Sequence, residues 1–163
     1  MSRDTSLYFI DETGAPVPAS PQQVIAAARE HLSHRVRRGS PLSSPKAAND
    51  YLTLKLGDRD FESFCCLFLD NRHRVIEFVE LFRGTIDGAA VHPREVVREA
   101  LARNAAAVLF CHSHPSGVAE PSHADELITR RLRDALQLLD IRVVDHCVVG
   151  GGECVSMAAR GML

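Results

Sequence analysis

With 163 residues and a formal net charge of −2, the chain is long enough for one principal domain and too nearly neutral to attract nucleic acid by charge alone. Its 45% apolar content is ordinary for a globular protein, and no long uncharged apolar run is present that would span a membrane. Five cysteines without a disulfide-framework or zinc-ribbon spacing point to reduced thiols in the cytoplasm, and Met1-Ser-Arg-Asp lacks the basic-then-apolar order of a secretion signal.

Residues 1–20 carry a short apolar patch, Leu7 to Ile10, followed by a Gly- and Pro-containing stretch, the pattern of a small strand or a loosely held arm. Ser20-Pro21-Gln22-Gln23 opens a helix with an N-cap, a proline at the first helical position and a Gln at the third. Val24, Ile25, Ala28 and Leu32 are expected along its apolar face, and His34 to Arg38 makes a basic helix end closed by Gly39. Gly39 to Pro45, rich in Ser and Pro, reads as a linker. Residues 1–41 are therefore expected to form an N-terminal arm and helix, and residues 42–163 the principal domain.

A second short helix is predicted from Lys46 to Leu54, and Phe61 to Leu69 reads as a fully buried strand. Asp70-Asn71-Arg72-His73 turns the chain, Val75 to Phe82 returns as a strand, and Arg83 to Gly88 breaks it. Pro93 starts a helix with Val96, Val97, Ala100 and Leu101 along one face, and Ala105 to Cys111 is a core strand. A helix from about Ser122 to Leu139 carries an apolar stripe of Ile128, Leu132, Ala135, Leu136 and Leu139. Ile141 to Val149 is a further strand, the glycines 150–152 turn it, and Glu153 to Met157 returns. Helix, two strands, helix, strand, helix, two strands is the order of an α/β protein with a mixed sheet packed by helices.

The chemistry concentrates in residues 111–125, Cys-His-Ser-His-Pro-Ser-Gly-Val-Ala-Glu-Pro-Ser-His-Ala-Asp. Side chains two apart in extended backbone point the same way, so His112 and His114 converge while Cys111 and Ser113 face the other side. Gly117 permits a turn, and Ser122 is a good N-cap that puts Asp125 in a helix's first turn. Two imidazoles and one carboxylate would leave a position open on a tetrahedral zinc ion (Zn2+), the arrangement of a catalytic rather than a structural site. The bland alternative is a chance His-x-His pair beside an ordinary capping box.

The spacing His-x-His-Pro, six residues, Ser, two residues, Asp resembles the signature of the JAMM (MPN-plus) metalloproteases, in which the two His and the Asp bind zinc. The fuller string, with Pro-Ser-Gly after the second histidine, is closer to the RadC branch of that family. The likeness covers roughly residues 42–163, including Phe82-Arg83-Gly84-Thr85, His92-Pro93-Arg94-Glu95 and Asp145-His146. It implies the JAB/MPN (cytidine-deaminase-like) architecture: a mixed, mainly antiparallel sheet flanked by helices. Ser113 stands where RadC proteins usually carry Asn, and Val79 and Ala159 where many carry Glu. Longer RadC proteins place a helix-hairpin-helix module before this domain; the chain has no room for one, which argues against direct DNA binding.

Hydrolysis needs a carboxylate to take a proton from the attacking water and pass it to the leaving amine. The family uses a Glu at the head of a buried strand, and Glu62, a lone acid entering an apolar run, fits. Glu80 is the rival, since alternation sets Glu77 and Glu80 on opposite sides of their strand. Ser122 is matched to the family's oxyanion-supporting serine, a role that an N-cap does not preclude. Asp145-His146 is expected either behind the metal ligands or as a structural pair. The leading expectation is a zinc-dependent hydrolase acting on a peptide or protein substrate at a peptide or isopeptide bond. The alternatives are an inert JAMM-like metal-binding interaction module tied to DNA repair or mobile elements, and a nucleic-acid-processing enzyme. The glycine run lacks a nucleotide-binding context, and the zinc-deaminase Pro-Cys-x-x-Cys is absent.

Overall fold

A computed structural model describes residues 7–35, 38–42, 44–84 and 90–163. β1 (Tyr8–Ile10) and β2 (Pro16–Pro18) pair as a small antiparallel hairpin, its turn held by the Asp11 carboxylate, which accepts from Thr13 N at 2.8 Å and Ala15 N at 3.0 Å. α1 (Pro21–Arg35) begins at the expected capping box: Ser20 N donates to Gln23 Oε1 at 2.9 Å, and Gln23 N donates to Ser20 Oγ at 3.3 Å. Its face is narrower than the sequence suggested. Val24 and Ala28 are half-buried, whereas Ile25 is exposed, and the Leu32 side chain lies outside the described residues.

The principal sheet has five strands in the order β4-β3-β5-β6-β7, formed by β3 (Ser63–Leu69), β4 (Val75–Arg83), β5 (Ala107–Ser113), β6 (Arg142–Gly150) and β7 (Glu153–Ser156). Every pair is antiparallel except β5 with β6. All seven residues of β3 and all seven of β5 are buried, as their continuous apolar runs require when both faces are covered. α2 (Pro45–Leu56), capped by Ser44, covers one face: its Tyr51, Leu52 and Leu56 pack with Cys65, Leu67, Leu109, Cys111 and Cys147. α3 (Pro93–Ala102) and α4 (His123–Gln137) cover the other, where Val96, Ala100, Leu132 and Leu136 meet Phe64, Phe68, Val108 and Phe110. This three-layer, mixed and mainly antiparallel α/β arrangement is the expected fold class.

The differences in detail have local causes. β5 starts two residues later than its apolar run because Ala105 and Ala106 turn the chain in from α3, their amides bonding to Ala100 O and Leu69 O. Leu101 on α3 is 54% exposed and Leu139, past the end of α4, is 41% exposed, so neither joins the predicted stripe. Of the predicted break from Arg83 to Gly88, residues 85–88 lie outside the described residues. All five cysteines are free thiols, four of them buried in the sheet. No helix among the described residues is long and apolar enough to cross a membrane.

Candidate metal centre

β5 delivers the histidines as the two-residue period demands. His112 lies on the α3/α4 face with Phe110, while Ser113 turns to the opposite side. There the Ser113 hydroxyl donates to Phe61 O at 3.0 Å and accepts from Ser63 N at 3.0 Å, tying the end of β5 to the start of β3. Ser113 thus takes no part in ligation. Past the strand, His114 N donates to Val149 O at 2.7 Å and Gly117 N to His114 O at 3.0 Å, closing the turn for which Gly117 adopts φ +80°.

Asp125 comes from the first turn of α4. Ser122 is the N-cap of a complete capping box: Asp125 N donates to Ser122 Oγ at 3.2 Å, and Ser122 N donates to Asp125 Oδ2 at 2.7 Å. The Ser122 hydroxyl donates to the same carboxylate oxygen at 2.6 Å. The box uses Asp where Glu or Gln is commoner, and the shorter side chain keeps the carboxylate over the helix end, facing the imidazoles.

The three side chains meet. His112 Nε2 and His114 Nε2 are 2.8 Å apart, His112 Nε2 is 3.1 Å from Asp125 Oδ1, and His114 Nε2 is 3.6 Å from Asp125 Oδ2. They form the one His, Cys, Asp or Glu group among the described residues that can hold a metal ion, with donor atoms all within 4.8 Å of one another. Donors on a tetrahedral zinc with bonds near 2.0–2.1 Å stand about 3.3 Å apart, and the observed spacings bracket that value. Electrostatics also calls for a cation here. Burial alone would raise the Asp125 carboxyl, but the His112 and His114 imidazoles hold it well below the usual carboxylate range. His114 is raised, chiefly by its bond to Asp125, against burial, with the Val118 carbonyl and the Glu62 carboxylate adding to the rise. His114 Nδ1 donates to Val118 O at 2.8 Å, which leaves Nε2 as the atom facing the cluster.

Glu62 stands just before β3 and is half-buried. β3 and β5 pair with Phe64 opposite His112 at the end of their ladder, and Glu62, two residues before Phe64, is near enough to His114 for its charge to act on that imidazole. Glu80 is opposite Cys65 and so on the α2 face, where it pairs with Arg59 at 2.6 Å. Glu77 points the other way and bonds Arg103 at 2.7 Å. The Asp145 and His146 side chains part to opposite faces: Asp145 accepts from Ser156 Oγ at 2.5 Å, Ala158 N at 3.0 Å and the His146 backbone N at 2.7 Å, while the His146 ring reaches towards the triad.

Two contributors were not legible as site residues. Thr129, buried between Asp125 and Leu132 on the inner face of α4, had one signal: a hydroxyl on an otherwise apolar stripe. The glycines after β6 bind nothing but make room. A Cβ on Gly151, at φ +57°, would sit 2.4 Å from Gly117 O, and one on Gly150 would sit 3.0 Å from Val118 C. Gly151→Ala should therefore lose stability on the order of 1–3 kcal/mol in urea titration. It should also weaken metal uptake by displacing the Val118 carbonyl that orients His114. Unchanged stability would mean that the loop does not rest on this turn.

A three-layer α/β domain whose central strand and following helix present two histidines and an aspartate to one point has the architecture of the JAB/MPN type, with a triad that could hold a metal ion. The comparisons make this specific: residues 42–162 match the family model for the RadC-like JAB domain, and the chain belongs to that family. It is 62% identical over 150 residues to a UPF0758 protein of Thioalkalivibrio sulfidiphilus, covering 92% of this chain and 67% of the relative. It is 59% identical over 142 residues to a UPF0758 protein of Nitrosococcus oceani, covering 87% and 63%. A third, from Marinobacter nauticus, is 59% identical over 145 residues, covering 89% and 65%. The chain spans about two thirds of the length of these curated relatives.

Proposed function

We propose that the protein is a zinc-dependent hydrolase of amide bonds in a peptide or protein substrate, with His112, His114 and Asp125 as zinc ligands and Glu62 as the proton carrier. The observation that supports this reading is a half-buried acid, Glu62, two residues before the Phe64 that pairs with His112, its charge acting on the His114 imidazole. Nitrogen and carboxylate donors suit zinc, and three protein ligands leave a coordination position for a reactant. When bound, the ion supplies Lewis acidity to the scissile carbonyl and to a water molecule.

The protein's own groups do the rest. Glu62 accepts a proton from the attacking water and returns it to the leaving amine. Ser122 keeps Asp125 aimed at the site through its cap. The Ser122 hydroxyl, at the helix end beside the triad, would be the donor for the oxyanion that develops on the substrate.

The test is to incubate zinc-loaded protein with a diverse peptide library and with isopeptide-linked peptides, reading products by mass spectrometry. Cleavage that stops on chelation and returns with zinc is the expected result. A zinc-loaded protein that cuts neither class would instead be a metal-binding interaction module.

A further inference from the structure

The side chains behind His112 form a chain whose direction can be worked out. Thr129 Oγ1 lies 2.5 Å from the Asp125 carbonyl oxygen, which can only accept, so the hydroxyl proton is committed there. The Met157 thioether, 3.8 Å away, is a much poorer acceptor. Thr129 Oγ1 is also 2.5 Å from His146 Nδ1, and with its proton spent it accepts from that nitrogen. His146 is fully buried, and the side chains its ring nitrogens meet, Thr129 and His112, include no carboxylate that would favour a second proton, so it carries one N–H. That proton sits on Nδ1. His146 Nε2 is therefore an acceptor, and it lies 2.9 Å from His112 Nδ1, which donates to it.

We propose that Thr129 and His146 are positioning residues of the metal site: a one-way hydrogen-bond relay, His112 to His146 to Thr129 to the Asp125 carbonyl, fixes the His112 proton on Nδ1 and presents Nε2 to the ion. The inference rests on the metal reading above and deepens it. The relay starts on one ligand residue and ends on another, so a single chain of bonds orients both the His112 ring and the turn of α4 that carries Asp125. Phe64 holds the rings in place, stacked on His112 at 14° between planes and edge-on to His146 at 5.5 Å. His114 reaches the same tautomer by a separate route, through Val118 O. With both Nδ1 protons committed outward, the two Nε2 atoms, 2.8 Å apart, both turn towards each other and the Asp125 carboxylate, a set of acceptors that a cation satisfies at once.

The test uses the full chain in two measurements. Long-range nitrogen–proton NMR of the metal-free protein at mildly alkaline pH reads the His112 tautomer, and competition with a chromophoric chelator reads zinc affinity. In the wild type, His112 should be protonated at Nδ1. Thr129→Val removes the acceptor that holds the His146 proton on Nδ1; His146 should then protonate at Nε2, driving His112 to the opposite tautomer. Zinc affinity should fall roughly 10- to 100-fold, the usual effect of losing a group that orients a ligand. Thr129→Ser, which keeps the hydroxyl, should restore both readouts. A folded Thr129→Val protein with wild-type affinity and an unchanged His112 tautomer would overturn the relay. If that variant does not fold, the wild-type spectrum decides alone, and His112 protonated at Nε2 overturns it. A wild type that takes up no zinc while His112 is protonated at Nδ1 would strike the metal reading and support the hydrogen-bond order.

Discussion

Replacing His112 and His114 together with alanine should take the protein from about one zinc per chain to none, leaving Asp125 as a lone ligand. The loss is expected to be complete because no second cluster of ligand side chains among the described residues can take over. The fold should survive. β5 is held by backbone pairing on both sides, and most of its core contacts come from Val108, Leu109, Phe110 and Cys111, with His112 the one buried imidazole of the pair. Some stability will go, since His146 Nε2 loses its partner in a buried setting, a cost on the order of 1–3 kcal/mol. Elemental analysis of the purified variant, beside circular dichroism to show that it is folded, makes the measurement. Full zinc in a folded double variant would place the ion elsewhere.

For Glu62→Gln the expected result is the reverse combination: zinc retained, turnover lost. Gln keeps the shape and half-buried packing of the side chain but cannot take a proton, and general-base catalysis typically contributes a factor of about 10² or more. The matched control is Glu80→Gln. Its carboxylate pairs with Arg59 on the α2 face, across the sheet from the triad, so the change should cost no more than a partly exposed ion pair, about 0–1 kcal/mol, and leave the rate alone. Rates of both variants on the same substrate, at equal zinc content, separate the two acids. Equal rates for Glu62→Gln and wild type would remove Glu62 from the mechanism.

The parts of this site that could be read in the sequence are those set by local geometry. The two-residue period that aims His112 and His114 together, and the capping distance from Ser122 to Asp125, need no tertiary information. Glu62 was legible as an acid out of place at the head of an apolar run, but its nearness to His114 depends on the pairing of β3 with β5, which the sequence does not state. The relay was less legible still. Thr129 looks like a slightly polar member of a helix stripe, and Asp145-His146 looks like a pair until alternation sends them to opposite faces. Ile25, Leu101 and Leu139 failed for a related reason: a hydrophobic period marks which face of a helix turns inward, not how far along its length the neighbouring layer extends.

The two parallel strands and the helix between them have a mechanical consequence. β5, α4 and β6 make one crossover, and the triad joins the end of β5 to the start of α4 while His146 reaches the same point from β6. An ion seated there would join β5 to α4 directly and β6 through the His146–His112 bond, near the carboxyl end of β5, the end where open α/β sheets commonly receive ligands. Binding to the folded chain alone would then act as a selective brace. At a hundredfold excess of free ion over Kd it adds about 2.7 kcal/mol against any opening that separates these elements. Amide hydrogen exchange should slow most in β5, α4 and β6, and least in the β1–β2 hairpin and in α1, which touch none of the stapled elements through the ion.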